Sequence, residues 1–310
     1  MDIIENIIKL KQEKNAVILA HCYQPIEIDE VADYVSDSLY LSQKASQTEA
    51  DIIIFAGVHF MAQSAKLLSP RKKVLLPNLD SGCEMADMIN IQQLREFKSK
   101  YPKIPTICYI NSTAEVKAEC DICCTSSNAV EIIKNLHADE VLFVPDNYLG
   151  KWVEYKLKNV KVHTYEGCCP IHQRIDASDI FNARKKYPNA KILAHPECNF
   201  KVSELSDFTG STKEIMDYVV ASKEKQFVIA TEKGVVDRLK RDSKAYNWGK
   251  DFILLKDNLI CENMKKTTLS NIYTVLKDES NEIFISDDVF INAKKCVENM
   301  FNLLKTGNLT

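Results

Sequence analysis

At 310 residues, with a net charge of −3, a pI near 6.1 and 45% hydrophobic residues, the chain has the composition of a globular protein able to bury two or three cores. Lys and Arg are scattered and matched by Asp and Glu, which excludes a surface dedicated to nucleic acid or to an anionic membrane. A small anionic ligand would have to be held by local groups.

The N-terminus carries Asp2 and Glu5, with Ile3, Ile4, Ile7, Ile8 and Leu10 at helical spacing, which predicts an amphipathic first helix and not a signal peptide. No uninterrupted apolar run approaches the roughly 18 residues of a membrane span, so a cytoplasmic location is expected. Short β-branched runs then alternate with helical patterns, the signature of βαβ units around parallel sheets. Nine strands are predicted, at 16–21, 51–55, 73–77, 105–110, 141–145, 160–165, 191–196, 227–231 and 251–255. Pro70, Pro102 and Pro188 follow helical stretches as stops. A last helix over roughly 288–305 puts Val289, Ile291, Cys296, Val297, Met300, Phe301 and Leu304 on an apolar side.

Grouped in threes, the strands form blocks whose third strand runs into a cysteine: Cys83 in KVLLPNLDSGC, Cys169 in VKVHTYEGCC and Cys261 in FILLKDNLIC. The repeat is roughly 90 residues long and is visible in element order more than in letters. It predicts three similar three-layer α/β domains, each with a small parallel sheet, around a shared centre. These are 1–88, 89–173 and 174–310, the last including a C-terminal helix expected to pack back on the first. The alternative is one large doubly wound sheet with unrelated thiols.

Eleven cysteines, an odd number, argue in a reducing compartment for metal binding, catalysis or buried filler over a disulfide framework. The spacing of Cys83, Cys169 and Cys261 is too wide for a zinc finger or a ferredoxin loop. Three thiols from three thirds of a fold could converge on one metal cluster. On a four-iron cube they would leave one iron open as a Lewis acid. An aconitase-type hydro-lyase also uses such a cluster, but places two ligands close together as CxxC.

In open α/β folds ligands bind at the carboxyl ends of strands, where this chain has many polar residues. After the first strand come His21, Tyr23 and Gln24; after the second, Gly57 and His59; after the fourth, Tyr109, Asn111, Ser112 and Thr113. After the seventh come His195 and Glu197, then Gly210, Ser211 and Thr212. His21 and His195 suit hydrogen bonding to a carboxylate or phosphate, or metal ligation. Tyr23 and Glu197 are candidates for proton transfer. Taken singly, each is a satisfied structural residue or a solvated carboxylate; the repeated placement favours a site.

The segment CDICCTSSNAV competes for attention, because Cys120, Cys123 and Cys124 look like a zinc or thiol-redox knuckle. No second CxxC completes a four-thiolate site. Ser126 and Ser127 followed by Asn128 look like the cap and first turn of a helix suited to an anion. Cys22, Cys108 and Cys198 read as small apolar filler.

Together these segments resemble the quinolinate synthase family, the A-type iron-sulfur enzymes of NAD biosynthesis. The collinear motifs run from ILAHCYQ through VADYVSDSL, GVHFMAQSAK, SGCEMADM, YINSTAEVKA, CCTSSNAV, PDNYLG, GCCPIH, HPEC, TGST and TEKGVVDRL to CENMKKTTL. The resemblance implies condensation of iminoaspartate with dihydroxyacetone phosphate to quinolinate, phosphate and water. It implies one 4Fe-4S cluster with three cysteine ligands, Cys83, Cys169 and Cys261. Iminoaspartate is expected to contact His21, Ser38, Tyr109, Asn111, Ser126, His195, Glu197 and Thr212, with Ser211 beside it. His21, Tyr23, His195 and Glu197 are the expected catalytic residues. Expected partners are the two substrates and a transient contact with L-aspartate oxidase or aspartate dehydrogenase, the chain being a monomer or homodimer. The chain departs from the family pattern at Cys22, where tyrosine is common, at Gln63, where glutamate is frequent, and in PDNYLG. No expected ligand is lost by these changes.

Overall fold

The computed structural model describes residues 2–306 and contains three four-stranded sheets in which every strand pairing is parallel. Ala16–His21 (β1), Tyr34–Ser36 (β2), Ile52–Ala56 (β3) and Lys73–Leu75 (β4) form the first, in the order β2-β1-β3-β4. Thr106–Tyr109 (β5), Ile122–Cys124 (β6), Glu140–Val144 (β7) and Lys161–Thr164 (β8) form the second, in the order β6-β5-β7-β8. Lys191–Ala194 (β9), Phe208–Thr209 (β10), Gln226–Ala230 (β11) and Asp251–Leu254 (β12) form the third, in the order β10-β9-β11-β12. One topology therefore occurs three times, and the protein is α/β with three pseudo-symmetric units. The central strands read as continuous apolar runs because helices cover both faces, and all five residues of β3 are buried.

Nine of these strands coincide with the predicted runs; β2, β6 and β10 do not. Each is an edge strand of two or three residues, too short for periodicity to show. A single device pins all three. The carboxylates of Asp33, Asp121 and Asp207 accept from the backbone N–H groups of Ile18, Thr106 and Ile192, at 2.8, 2.7 and 2.8 Å, always 15 residues upstream. The N–H of each aspartate donates back to the carbonyl of the same residue. Each short edge strand thus enters the sheet through a two-way clip that satisfies a buried donor of the neighbouring strand.

The helices His59–Leu68, Ile91–Ser99 and Ala177–Lys186 end two or three residues before Pro70, Pro102 and Pro188. The first helix, Ile3–Glu13, packs on Leu269–Asp278, so the chain after Cys261 returns to the first unit. Ile283 completes that return by donating its N–H to Val74 O. The last helix, Asp287–Thr306, touches His59–Leu68 of the first unit but lies chiefly on Ala114–Ala118 and β6 of the second. It buries Cys296, Val297, Met300 and Leu303, whereas Ile291, expected on its apolar side, is 73% exposed. Among the described residues, no helix is long and apolar enough to cross a membrane.

Candidate active site

The sheet register defines which residues are equivalent. Ala20 pairs with Ala56, Cys108 with Val144 and Ala194 with Ala230, always between the first and third strands of a unit. The next residue along is His21, Tyr109 or His195, and two further on comes Tyr23, Asn111 or Glu197. Val35, Cys123 and Thr209 occupy matching positions on the edge strands, and three residues beyond them stand Ser38, Ser126 and Thr212. All nine side chains line one cavity of about 110 Å³.

His21 and His195 share a local geometry. Each Nδ1 accepts the N–H of the residue two positions on, Tyr23 at 3.1 Å and Glu197 at 3.2 Å. That bond leaves the ring proton on Nε2, as a donor. Burial, with the Arg238 charge adding to it, lowers His21 to about 3, and burial lowers His195 to about 4. Both rings are uncharged at neutral pH.

Glu197 is buried and anchors a hydrogen-bonded row. The Tyr109 phenol donates to its Oε1 at 2.5 Å, with the Asn111 amide on the same oxygen at 3.4 Å. His172 Nδ1 lies 2.9 Å from Oε2, a close approach whose direction misses hydrogen-bond alignment. His172 Nε2 meets Thr231 Oγ1 at 2.8 Å, and that hydroxyl meets Tyr23 OH at 3.0 Å. Tyr23 OH also meets Thr212 Oγ1 at 3.1 Å. Burial alone would push Glu197 up, but His195, His172 and the Tyr109 phenol outweigh it and hold the carboxyl at about 2. Burial, then the Glu197 charge, pushes the Tyr23 and Tyr109 phenols well above their usual range, so both keep their protons.

Cys83, Cys169 and Cys261 open on the same cavity. They are also the three cysteines of the eleven that retain solvent access, the other eight being buried. They follow β4, β8 and β12, the fourth strand of each unit, which is why they meet. Burial pushes the Cys83 thiol up to about 12 and raises Cys169 and Cys261 as well, so bare thiols would stay protonated. A soft metal centre is the partner that would hold them as thiolates. Cys169, His172 and Glu197 also bring ligand atoms within 4.8 Å of one another. Both His172 nitrogens already face Glu197 and Thr231, however, so the three-thiol set is the better donor set.

Ser211, expected beside the substrate, does not line the cavity; its hydroxyl caps the helix Thr212–Ala221 by accepting from Glu214 N at 3.3 Å. The thiols of the CxxC segment do not open on the cavity. Cys123 and Cys124 belong to β6, Cys123 Sγ lies 3.5 Å from Cys296 Sγ, and burial pushes Cys120, Cys123 and Cys124 well above the usual thiol range. The helix after it starts at Ala129 with Asn128 at the cap position, later than the two serines suggest. His172, Thr231 and Glu232 escaped the sequence reading. His172 opens the short 3-10 helix His172–Arg174, three residues after a thiol, and the other two follow β11 inside TEKGVVDRL, a segment whose letters carry no recognisable chemistry.

The family profile described as Quinolinate synthetase A protein (NadA) matches residues 5–302. A quinolinate synthase of Alkaliphilus metalliredigens is 49% identical over 302 residues, covering 97% of this chain and 98% of that protein. One from Caldicellulosiruptor bescii is 45% identical, covering 98% and 99%. One from Clostridioides difficile is 43% identical, covering 97% and 98%.

Proposed function

The chain belongs to the quinolinate synthase family of NAD biosynthesis, and from that membership we propose that it condenses iminoaspartate with dihydroxyacetone phosphate to quinolinate, phosphate and water. The observation that carries this reading is the convergence of three partly open thiols with nine polar side chains from all three sheets in one cavity. Cys83, Cys169 and Cys261 would hold a 4Fe-4S cluster, which when bound supplies a Lewis acid at the iron that lacks a protein ligand.

The chain's own residues account for binding and proton movement. His21 and His195 offer Nε2–H donors, and Ser38, Ser126, Thr212 and Asn111 offer hydroxyl and amide donors. These are uncharged groups suited to a dicarboxylate. Glu197, ionised at neutral pH, is placed to take a proton from a substrate carbon. Tyr23, protonated and held by Thr212 and Thr231, is placed to return one to a departing oxygen. Tyr109 holds Glu197 in the orientation this requires.

The test is anaerobic purification with iron and sulfide analysis, followed by incubation with dihydroxyacetone phosphate and iminoaspartate generated in situ. About four irons per chain and quinolinate detected by chromatography are expected. Iron-free protein with no quinolinate formed would sink the reading.

A further inference from the structure

Glu232 follows β11 and is fully buried. Its Oε1 accepts from Cys261 N at 3.3 Å and lies 2.9 Å from Lys265 Nζ, while Oε2 accepts from Gly234 N at 2.6 Å. Lys265, on the short turn that Cys261 begins, also donates to the carbonyl of Tyr23. On either side of that carbonyl, Arg238 donates to Cys22 O at 2.6 Å and to Gln24 O at 3.0 Å. Cations of the third unit therefore hold three successive carbonyls of the arm that carries Tyr23. The arm lies directly on the start of the helix Lys233–Ala245, where a Cβ on Gly234 would come within 2.6 Å of Cys22 O and 3.0 Å of Tyr23 Cα. Only glycine permits that approach.

We propose that Glu232 and Lys265 are positioning residues that tie the backbone of Cys261 to the Tyr23 arm, so that the third thiol and the phenol are placed together. Neither touches a reacting atom in this scheme. Glu232 orients the Cys261 N–H and fixes Lys265, and Lys265 fixes the Tyr23 carbonyl. Removing the lysine leaves a buried carboxylate without its cation and a buried carbonyl without its donor, and both losses fall on the arm and the thiol loop.

The inference rests on the synthase reading for its catalytic consequence and on geometry alone for the coupling, so the test reads both. In Lys265→Met, hydrogen exchange over residues 21–25 and 259–263 is expected to accelerate roughly tenfold or more. Iron per chain should fall and kcat should drop while KM for dihydroxyacetone phosphate changes little; Lys265→Arg should restore most of each. Glu232→Gln, which keeps one acceptor, should reproduce the faster exchange if Lys265→Met does not fold. Parent-level exchange in either folded variant, or faster exchange confined to residues 259–263, would overturn the coupling. A parent protein that binds no iron and makes no quinolinate would instead defeat the synthase reading, with the exchange result still deciding this one.

Discussion

Tyr109 and Glu197, 88 residues apart and carried by different sheets, share a hydrogen bond of 2.5 Å in which the phenol donates to Oε1. They hold non-equivalent ranks in their units, Tyr109 directly after the paired strand residue and Glu197 three positions after it. The pseudo-symmetry thus repeats the scaffold but not the chemistry. At matching positions it has two neutral imidazoles and a phenol, then a phenol, an amide and a carboxylate. Charge sits on the third unit, and the donor that stabilises it comes from the second.

Glu197→Gln keeps the side-chain volume and removes the proton acceptor. A fall in kcat of about 10²–10⁴ is expected, with iron content unchanged. Tyr109→Phe removes one of the donors holding Glu197 at about 2, so the carboxyl should titrate higher and the acid limb of kcat/KM should move to higher pH. An acid limb that stays in place in Tyr109→Phe would show that Glu197 does not set it.

The eleven thiols should divide cleanly. Cys83→Ser, Cys169→Ser and Cys261→Ser are each expected to lose iron and activity. Cys123→Ala should keep both and lose about 1–2 kcal/mol of stability, as for a small truncation in a buried strand. Iron analysis alongside urea unfolding separates the outcomes. Iron lost from Cys123→Ala and retained in Cys169→Ser would reverse the assignment.

The long central strands were legible because burial on both faces writes a continuous apolar run, and the three thiols because each follows the fourth strand of its unit within eight residues. The second strands of the units, β2, β6 and β10, were not, since two or three residues carry no period. Their signal lay elsewhere: Asp33-Tyr34, Asp121-Ile122 and Asp207-Phe208 are each an aspartate before a large apolar residue, 15 positions after a first-strand residue. With those clips aligned, Ser38, Ser126 and Thr212 fall into register as equivalents. Thr231 and Glu232 stayed hidden for a different reason. Their roles depend on partners from other segments, Tyr23 and His172 for one and Cys261 and Lys265 for the other, and no local pattern encodes them.

The buried histidines predict acid sensitivity. His21 and His195 sit at about 3 and about 4 in the folded protein, below the 6.5 of a free histidine. Between those values the unfolded chain binds protons that the folded one refuses, so stability is full above about pH 6.5 and declines as pH falls toward 4. Urea unfolding of metal-free protein at pH 7.5, 6 and 5 should show a loss on the order of a few kcal/mol, reduced in His195→Gln. An equal pH slope in parent and variant would mean that His195 binds protons equally in the folded and unfolded states.

Thr231 is fully buried and its hydroxyl joins Tyr23 OH at 3.0 Å to His172 Nε2 at 2.8 Å. Thr231→Val is nearly isosteric, so its cost should come from the lost hydroxyl alone. Tyr23 would keep Thr212 as a partner at 3.1 Å, whereas His172 Nε2 would keep none. Leaving one buried polar group unpaired costs about 1–3 kcal/mol, the expected loss in unfolding free energy. The Glu197 side of the row should also loosen, because His172 is held between Thr231 and Glu197, and kcat should fall more than KM rises. Thr231→Ser retains the hydroxyl and should recover most of the activity while losing only the methyl contact. Equal kcat in the valine and serine variants would show that the hydroxyl bridge between Tyr23 and His172 carries no catalytic weight, leaving Thr231 a packing residue.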